Sequence, residues 1–176
     1  PAKTRWRQKP SDTLLFYKAR YTFFMDLSKS ILITGASGYI GSHLLHELIT
    51  AWASDIYCLS SSWKKSHESP YWIECDITNR TKVFEIFQKI KPRYIFHCAA
   101  LWAKTTQVTF SLEDFLRVNA FGTQNLVDAA IESNICEGFL NISTAYEYGP
   151  KGYLISENTD FSPQGNYAIS KAVWSM

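Results

Sequence analysis

The run from Ser30 to Ala51 constrains this chain more than any other. The short β-rich stretch S-I-L-I-T breaks at Gly35, Gly38 and Gly41, and apolar residues then recur at helical spacing from Tyr39 to Ala51. A strand, a glycine turn and an amphipathic helix in immediate succession form the opening unit of a βα alternation. The alternation continues: Asp55–Leu59 and Tyr71–Glu74 read as strands, Thr81–Ile90 as a helix with Val83, Phe84, Phe87 and Ile90 on one face, and Arg93–Cys98 as a buried strand. Leu112–Ser133 then reads as one long helix, Gly138–Ile142 as the next strand, and Gly165 opens a final helix. Strands that alternate with helices must run parallel, because each crossover returns the chain to the same end of the sheet. The expectation is an α/β fold, a doubly wound parallel sheet.

Glycines between a strand and a helix let the backbone approach a pyrophosphate, whose charge the amide-rich helix start stabilises. Gly35, Ser37, Gly38, Tyr39, Ile40 and Gly41 are therefore candidates for dinucleotide phosphate binding. The end of the second strand selects between cofactors, an acid holding a ribose 2′-hydroxyl and a cation or neutral pocket a 2′-phosphate. The run there is Ser60-Ser61-Ser62-Trp63-Lys64-Lys65, hydroxyls and lysines with no acid. Ser60 and Lys64 are thus candidate ligands, and NADP is favoured over NAD. Asp76, after the third strand, is placed to accept from the adenine amino group, with a turn or N-cap carboxylate as the alternative.

Tyr167 and Lys171 stand at i and i+4, on one face of a helix. A phenol titrates near pH 10; a neighbouring cation, helped by an oxidised nicotinamide, is expected to lower that and make Tyr167 an acid or base near neutrality. Thr144 follows the fifth strand, where sheets of this type gather their ligands, and can hold a substrate oxygen.

Six motifs fall in order: T-G-A-S-G-Y-I-G-S-H-L, C-D-I-T, H-C-A-A, V-N-A-F-G-T-Q-N-L, S-T-A-Y-E-Y-G and Y-A-I-S-K. From about Ser30 to Ser175 the chain resembles the NAD-dependent epimerase/dehydratase family, the extended short-chain dehydrogenase/reductases, which implies a Rossmann sheet of strand order 3-2-1-4-5. The resemblance implies Tyr167 as catalytic acid/base, Lys171 as its electrostatic partner and a ribose ligand, and Thr144 as the substrate-orienting hydroxyl. It implies Gly35, Gly38 and Gly41 around the pyrophosphate, Asp76 and Ile77 at the adenine, and Ala99 and Ala100 along the cleft. Asn119 would support the site from the long helix or bind cofactor, with a satisfied polar residue as the alternative. His97 is expected to be a strand residue packed under the cofactor.

Members resembling this chain share hydride transfer and differ in the steps that come after it. Dehydratases place acids directly after the threonine; here those places hold Ala145 and Tyr146. Glu147 is displaced by one, onto the opposite face if the backbone is extended. Dehydration is disfavoured, leaving an epimerase or ketoreductase with a nucleotide sugar as the expected substrate. The rival from another class is a non-catalytic NADP-binding sensor or scaffold, which would need none of Thr144, Tyr167 and Lys171.

Residues 1–24 carry six Lys or Arg against one Asp, while the whole chain has a formal charge of +2, so the remainder is mildly acidic and a nucleic-acid surface is not expected. Met25 is expected as the true start, with residues 1–24 a basic extension that need not be native; a targeting or partner-binding arm is the alternative. Residues 25–176 form the expected NAD(P)-binding domain, ending inside a helix and short of the last strands and substrate lobe, about 100 to 150 residues. Cys58, Cys75, Cys98 and Cys136 lack metal-ligand spacing and are expected to be reduced, with no metal site. No apolar run reaches the roughly 18 residues of a membrane span, so a cytoplasmic protein is expected, with a homodimer implied by the resemblance.

Overall fold

The computed structural model describes residues 25–61, 70–102 and 109–176. Five strands form one parallel sheet in the order β3-β2-β1-β4-β5: β1 Ile31–Thr34, β2 Ile56–Ser60, β3 Tyr71–Glu74, β4 Tyr94–His97 and β5 Gly138–Asn141. The order is the expected one, and each strand lies within a residue or two of its sequence reading. Helix α1 (Tyr39–Thr50) follows β1 and α2 (Arg80–Ile90) follows β3.

Alternation within β1 sorts the core into two layers. Leu32 faces the side covered by α2, where Leu59, Ile95, Val83, Phe87 and Leu126 pack together; Ile31 and Ile33 face the α1 side with Cys58, Ile56 and Leu48. A large apolar side chain as enclosed as Phe87 contributes roughly 1.5–3 kcal/mol by leaving water. Asn79 caps α2 by accepting from the Lys82 amide at 3.0 Å. The N-terminal ends of β4 and β5 are tied by Glu137, which accepts from Lys29 Nζ and Tyr94 Oη, each at 2.8 Å, and from Arg93.

The long helix departs from expectation in its interior. It begins with α3 (Leu112–Phe115), widens into a π segment (Leu116–Gly122) and resumes as α4 (Thr123–Ser133). A π turn is costly and is tolerated where another interaction needs the altered register. Here the segment holds Asn119, which is buried and donates or accepts three hydrogen bonds to other parts of the fold. The last helix, α5 (Asn166–Ala172), packs on the π segment and on a 3₁₀ turn at Ala145–Tyr148.

Candidate active site

The turn after β1 leaves room for a ligand backbone to approach. Gly35 has φ 65°, and a Cβ there would lie 2.6 Å from the Ala99 amide nitrogen; a Cβ at Gly41 would lie 2.3 Å from the Gly35 carbonyl oxygen. Gly38 is the N-cap of α1, so the first amides of that helix have no side-chain acceptor. A cradle that any side chain would fill, beneath uncapped helix amides, fits a pyrophosphate.

Beside it runs a cleft of about 450 Å³ whose wall includes Gly35, Ser37, Gly38, Ser60, Asp76, Ile77, Ala99 and Ala100. Eight of the expected cofactor contacts are therefore gathered in one cavity at the carboxyl ends of the strands. Ser37 and Ser60 face each other, their hydroxyls 3.4 Å apart. Asp76 is exposed and uses one carboxylate oxygen to accept the Thr78 amide at 2.9 Å, so it serves the turn and still presents an oxygen to the cleft.

Other candidates sit differently. Tyr39 and Ile40 are exposed on the first turn of α1, the tyrosine ring packing on His43, and they do not line this cleft; what they offer is backbone N–H. Gly41 is buried and serves the close packing of α1 on the turn. Asn119 is a correction: it does not line the cleft, because its amide is spent within the protein. It accepts from the Leu101 amide at 2.7 Å and donates to the Leu101 carbonyl at 3.2 Å and to Ser170 Oγ at 3.0 Å, joining the loop after β4 to α5. Lys64 lies outside the described residues.

His97 is enclosed at the end of β4. Its Nε2 lies 2.8 Å from Thr123 Oγ1, whose own proton goes to the Asn119 carbonyl, so Nε2 must be the donor. Its Nδ1 then accepts from Thr34 Oγ1 at 2.6 Å, and that oxygen in turn accepts the Ala99 amide at 3.2 Å. Burial, helped by the charge of Lys171, lowers the imidazole pKa to about 3. His97 is thus a neutral strut fixing the cleft wall, in keeping with a packed strand residue.

Thr144 caps the 3₁₀ turn, accepting the Tyr146 amide, and its side chain lies near enough to the Tyr167 phenol to affect its titration. The Tyr167 ring stands edge-on to Trp102 at 5.0 Å and to Phe115 at 6.1 Å between ring centres. With Tyr146 these rings line a second, more open hollow of about 530 Å³. Leu101 faces the dinucleotide cleft and the next residue, Trp102, faces this hollow. The loop held by Asn119 is therefore the partition between the two.

The electrostatics correct one expectation. Burial pushes the Tyr167 phenol upward, the Thr144 side chain opposes this, and Glu147 and Tyr146 add to the rise. Lys171 is not among the leading causes of this shift. The i, i+4 spacing does put both on one face of α5, but the ammonium is buried, lowered by desolvation and drawn by the fields of Glu147 and Cys98. Lowering of the phenol thus awaits a positive charge brought by the ligand.

Glu147 is a third departure from the sequence reading. The segment is not extended: the 3₁₀ turn rotates this carboxylate inward, away from the hollow that Tyr146 lines, to accept from Ser143 Oγ. It is 2% exposed. Nothing in the sequence marks it, since the turn that buries it has no apolar period to betray it.

Among the described residues no group of His, Cys, Asp or Glu is arranged to hold a metal, and no helix is long and apolar enough to cross a membrane. The cysteines carry no disulfide; burial raises the Cys58 thiol to about 12 and Cys75 to about 11.

Comparison with known proteins agrees with this geometry. The chain is 32% identical over 145 residues to GDP-6-deoxy-D-talose 4-dehydrogenase of Aggregatibacter actinomycetemcomitans, covering 80% of this chain and 44% of that protein. It is 30% identical over 154 residues to UDP-glucose 4-epimerase of Drosophila melanogaster, covering 78% and 43%. The crystal structure of Thermus thermophilus UDP-glucose 4-epimerase in complex with NAD superposes with a TM-score of 0.69 at 26% identity, covering 83% of this chain and 48% of that one. The chain thus spans somewhat under half the length of these relatives. Residues 31–175 match the NAD dependent epimerase/dehydratase family, and with the ordered sheet, glycine cradle and cleft already described, the chain belongs to that family.

Proposed function

We propose that the protein is an NAD(P)-dependent epimerase or ketoreductase acting on a nucleotide sugar. The observation that carries the reading is the placing of Tyr167, beside Thr144, in a hollow divided only by the Leu101–Trp102 loop from the glycine-lined cleft, with Lys171 buried on the same helix. A nicotinamide dinucleotide supplies hydride acceptance and return at the sugar carbon. Gly35, Ser37, Gly38 and the first amides of α1, including those of Tyr39 and Ile40, would hold its pyrophosphate, with Gly41 allowing the close approach. Asp76 and Ile77 would border the adenine, and Ala99 and Ala100 the inner wall. Thr144 orients the sugar hydroxyl, Tyr167 takes or returns its proton, and Lys171 lends positive charge to the phenolate and to the ribose hydroxyls.

Glu147 faces away from the open hollow, which supports the view that elimination is not the reaction. A non-catalytic scaffold would have no use for a phenol set beside a strand-end hydroxyl with a buried lysine on the same helix. The test is turnover of the protein on a panel of UDP-, GDP- and dTDP-hexoses. Interconversion without net cofactor consumption marks an epimerase and stoichiometric NADPH loss a reductase; cofactor binding with no turnover on any sugar would favour the scaffold.

The serine-rich end of β2, with Ser60 and Ser61 in the cleft wall, supports NADP over NAD, Lys64 being the proposed phosphate partner. A charge-assisted contact of this kind is expected to favour NADPH over NADH by about tenfold in Kd. Fluorescence titration with each nucleotide checks it, and tighter binding of NADH reverses the assignment. Protonated thiols suit a cytosolic setting. Exposed Phe121, Ile169 and Val173 on the π segment and α5 support a homodimer through those helices. Sedimentation should give twice the monomer mass and Phe121→Glu the monomer; a monomeric wild type removes the proposal.

A further inference from the structure

Among the described residues, the buried polar and charged side chains include only two that carry a full charge, Glu147 and Lys171, since His97 is neutral. They are opposite in sign and sit on elements that pack against each other, the 3₁₀ turn and α5. A lone charge withdrawn from water is strongly unfavourable unless another compensates it. Yet the two make no direct salt bridge. The carboxylate is held by Ser143, whose hydroxyl also lies 3.2 Å from Ser175 Oγ just beyond α5, and its backbone carbonyl accepts from the Ser162 amide at 2.9 Å.

We propose that Glu147 is the buried counter-charge of Lys171, a positioning residue that Ser143 anchors at a distance so that the ammonium stays charged and free to serve Tyr167 and the cofactor ribose. A direct ion pair would tie up the donors that the ribose needs; a carboxylate held one step away supplies the field without taking a hydrogen bond. The groups facing this pair are Tyr167 and Lys171 on α5, Tyr146 on the 3₁₀ turn, and Cys98 and His97 at the end of β4. Burial keeps the Cys98 thiol protonated and His97 neutral, so Glu147 is the negative charge that acts.

The direction comes from the signs. The field of Glu147 raises the proton affinity of both Lys171 and Tyr167. In Glu147→Gln, which keeps the shape and an acceptor for Ser143, Lys171 should deprotonate at lower pH and the phenol should also ionise at lower pH while the lysine remains charged. Both limbs of the activity profile then move toward acid, so that kcat rises on the acid limb and falls about tenfold on the alkaline limb, where Lys171 loses its charge. A residue that merely packs would change the height of the profile and leave its limbs in place.

The inference rests on the acid/base reading of Tyr167 and Lys171, so its first readout needs no substrate. Titration of the Lys171 side chain by NMR on carbon-13 lysine-labelled protein, the signal identified by its loss in Lys171→Met, should show a lower midpoint in Glu147→Gln than in wild type. An unmoved midpoint in folded Glu147→Gln overturns the proposal. If that variant does not fold, Ser143→Ala decides, because it keeps the carboxylate and removes the anchor that holds it off: the Lys171 midpoint should rise as a direct pair forms, and an unmoved or lowered one overturns the proposal. A shifted lysine in a protein without turnover on any sugar would sink the acid/base reading and leave the charge pairing standing.

Discussion

Replacing Tyr167 by Phe is expected to lower kcat about a thousandfold while cofactor binding and stability stay close to wild type. The phenol oxygen is the one atom lost, and general acid–base catalysis by a placed side chain is worth about 10² to 10⁴ in rate. The ring contributes separately: its edge contacts with Trp102 and Phe115 survive in phenylalanine. Steady-state turnover and cofactor titration on the same preparation separate the two effects. Undiminished turnover would remove Tyr167 from the chemistry, and the shape of the hollow would then have to be explained by binding alone.

Gly35→Ala is expected to do the reverse, damaging the cofactor site and the fold together. The position has φ 65°, which costs an L-residue about 1–2 kcal/mol. The new methyl would also stand 2.6 Å from the Ala99 amide nitrogen and 2.7 Å from its Cα, backbone that cannot easily yield. That amide is bonded to Thr34 Oγ1, and the preceding Cys98 amide to the Thr34 carbonyl at 3.1 Å. Relief therefore requires β1 and β4 to part at their carboxyl ends, overpacking of a kind that costs a further ~1–3 kcal/mol. Thermal unfolding should show a clear fall in Tm, and dinucleotide binding should weaken beyond detection at concentrations that saturate wild type. An unmoved Tm with unimpaired binding would show that the cradle is not as tight as its geometry states.

These two residues differ in how plainly the sequence marks them. Gly35 announces itself, because a glycine after a β-run and before a helix has few other reasons to be there. Tyr167 announces itself only in company, since phenol and ammonium four residues apart occur on many helices. The role of Glu147 is closed to sequence reasoning, and that of Asn119 was legible only in outline. The resemblance let Asn119 support the site or meet the cofactor; its amide takes the supporting part, fastening Leu101 to Ser170, partners 18 and 51 residues away along the chain. An extended backbone would carry Glu147 to the opposite face of its strand, whereas a 3₁₀ turn capped by Thr144 buries it beside α5.

The alternation of strands and helices, the glycine cradle and the strand-end position of Thr144 were all determined by the sequence itself, because they arise from local periodicity and from backbone conformations that few residues tolerate. The tertiary structure alone decided which charges meet. Burial and the electric field depend on elements distant in the chain, so the raised phenol of Tyr167, the neutral imidazole of His97 and the opposed pair of Glu147 and Lys171 exist only once the turn after β5 and the last helix are packed together.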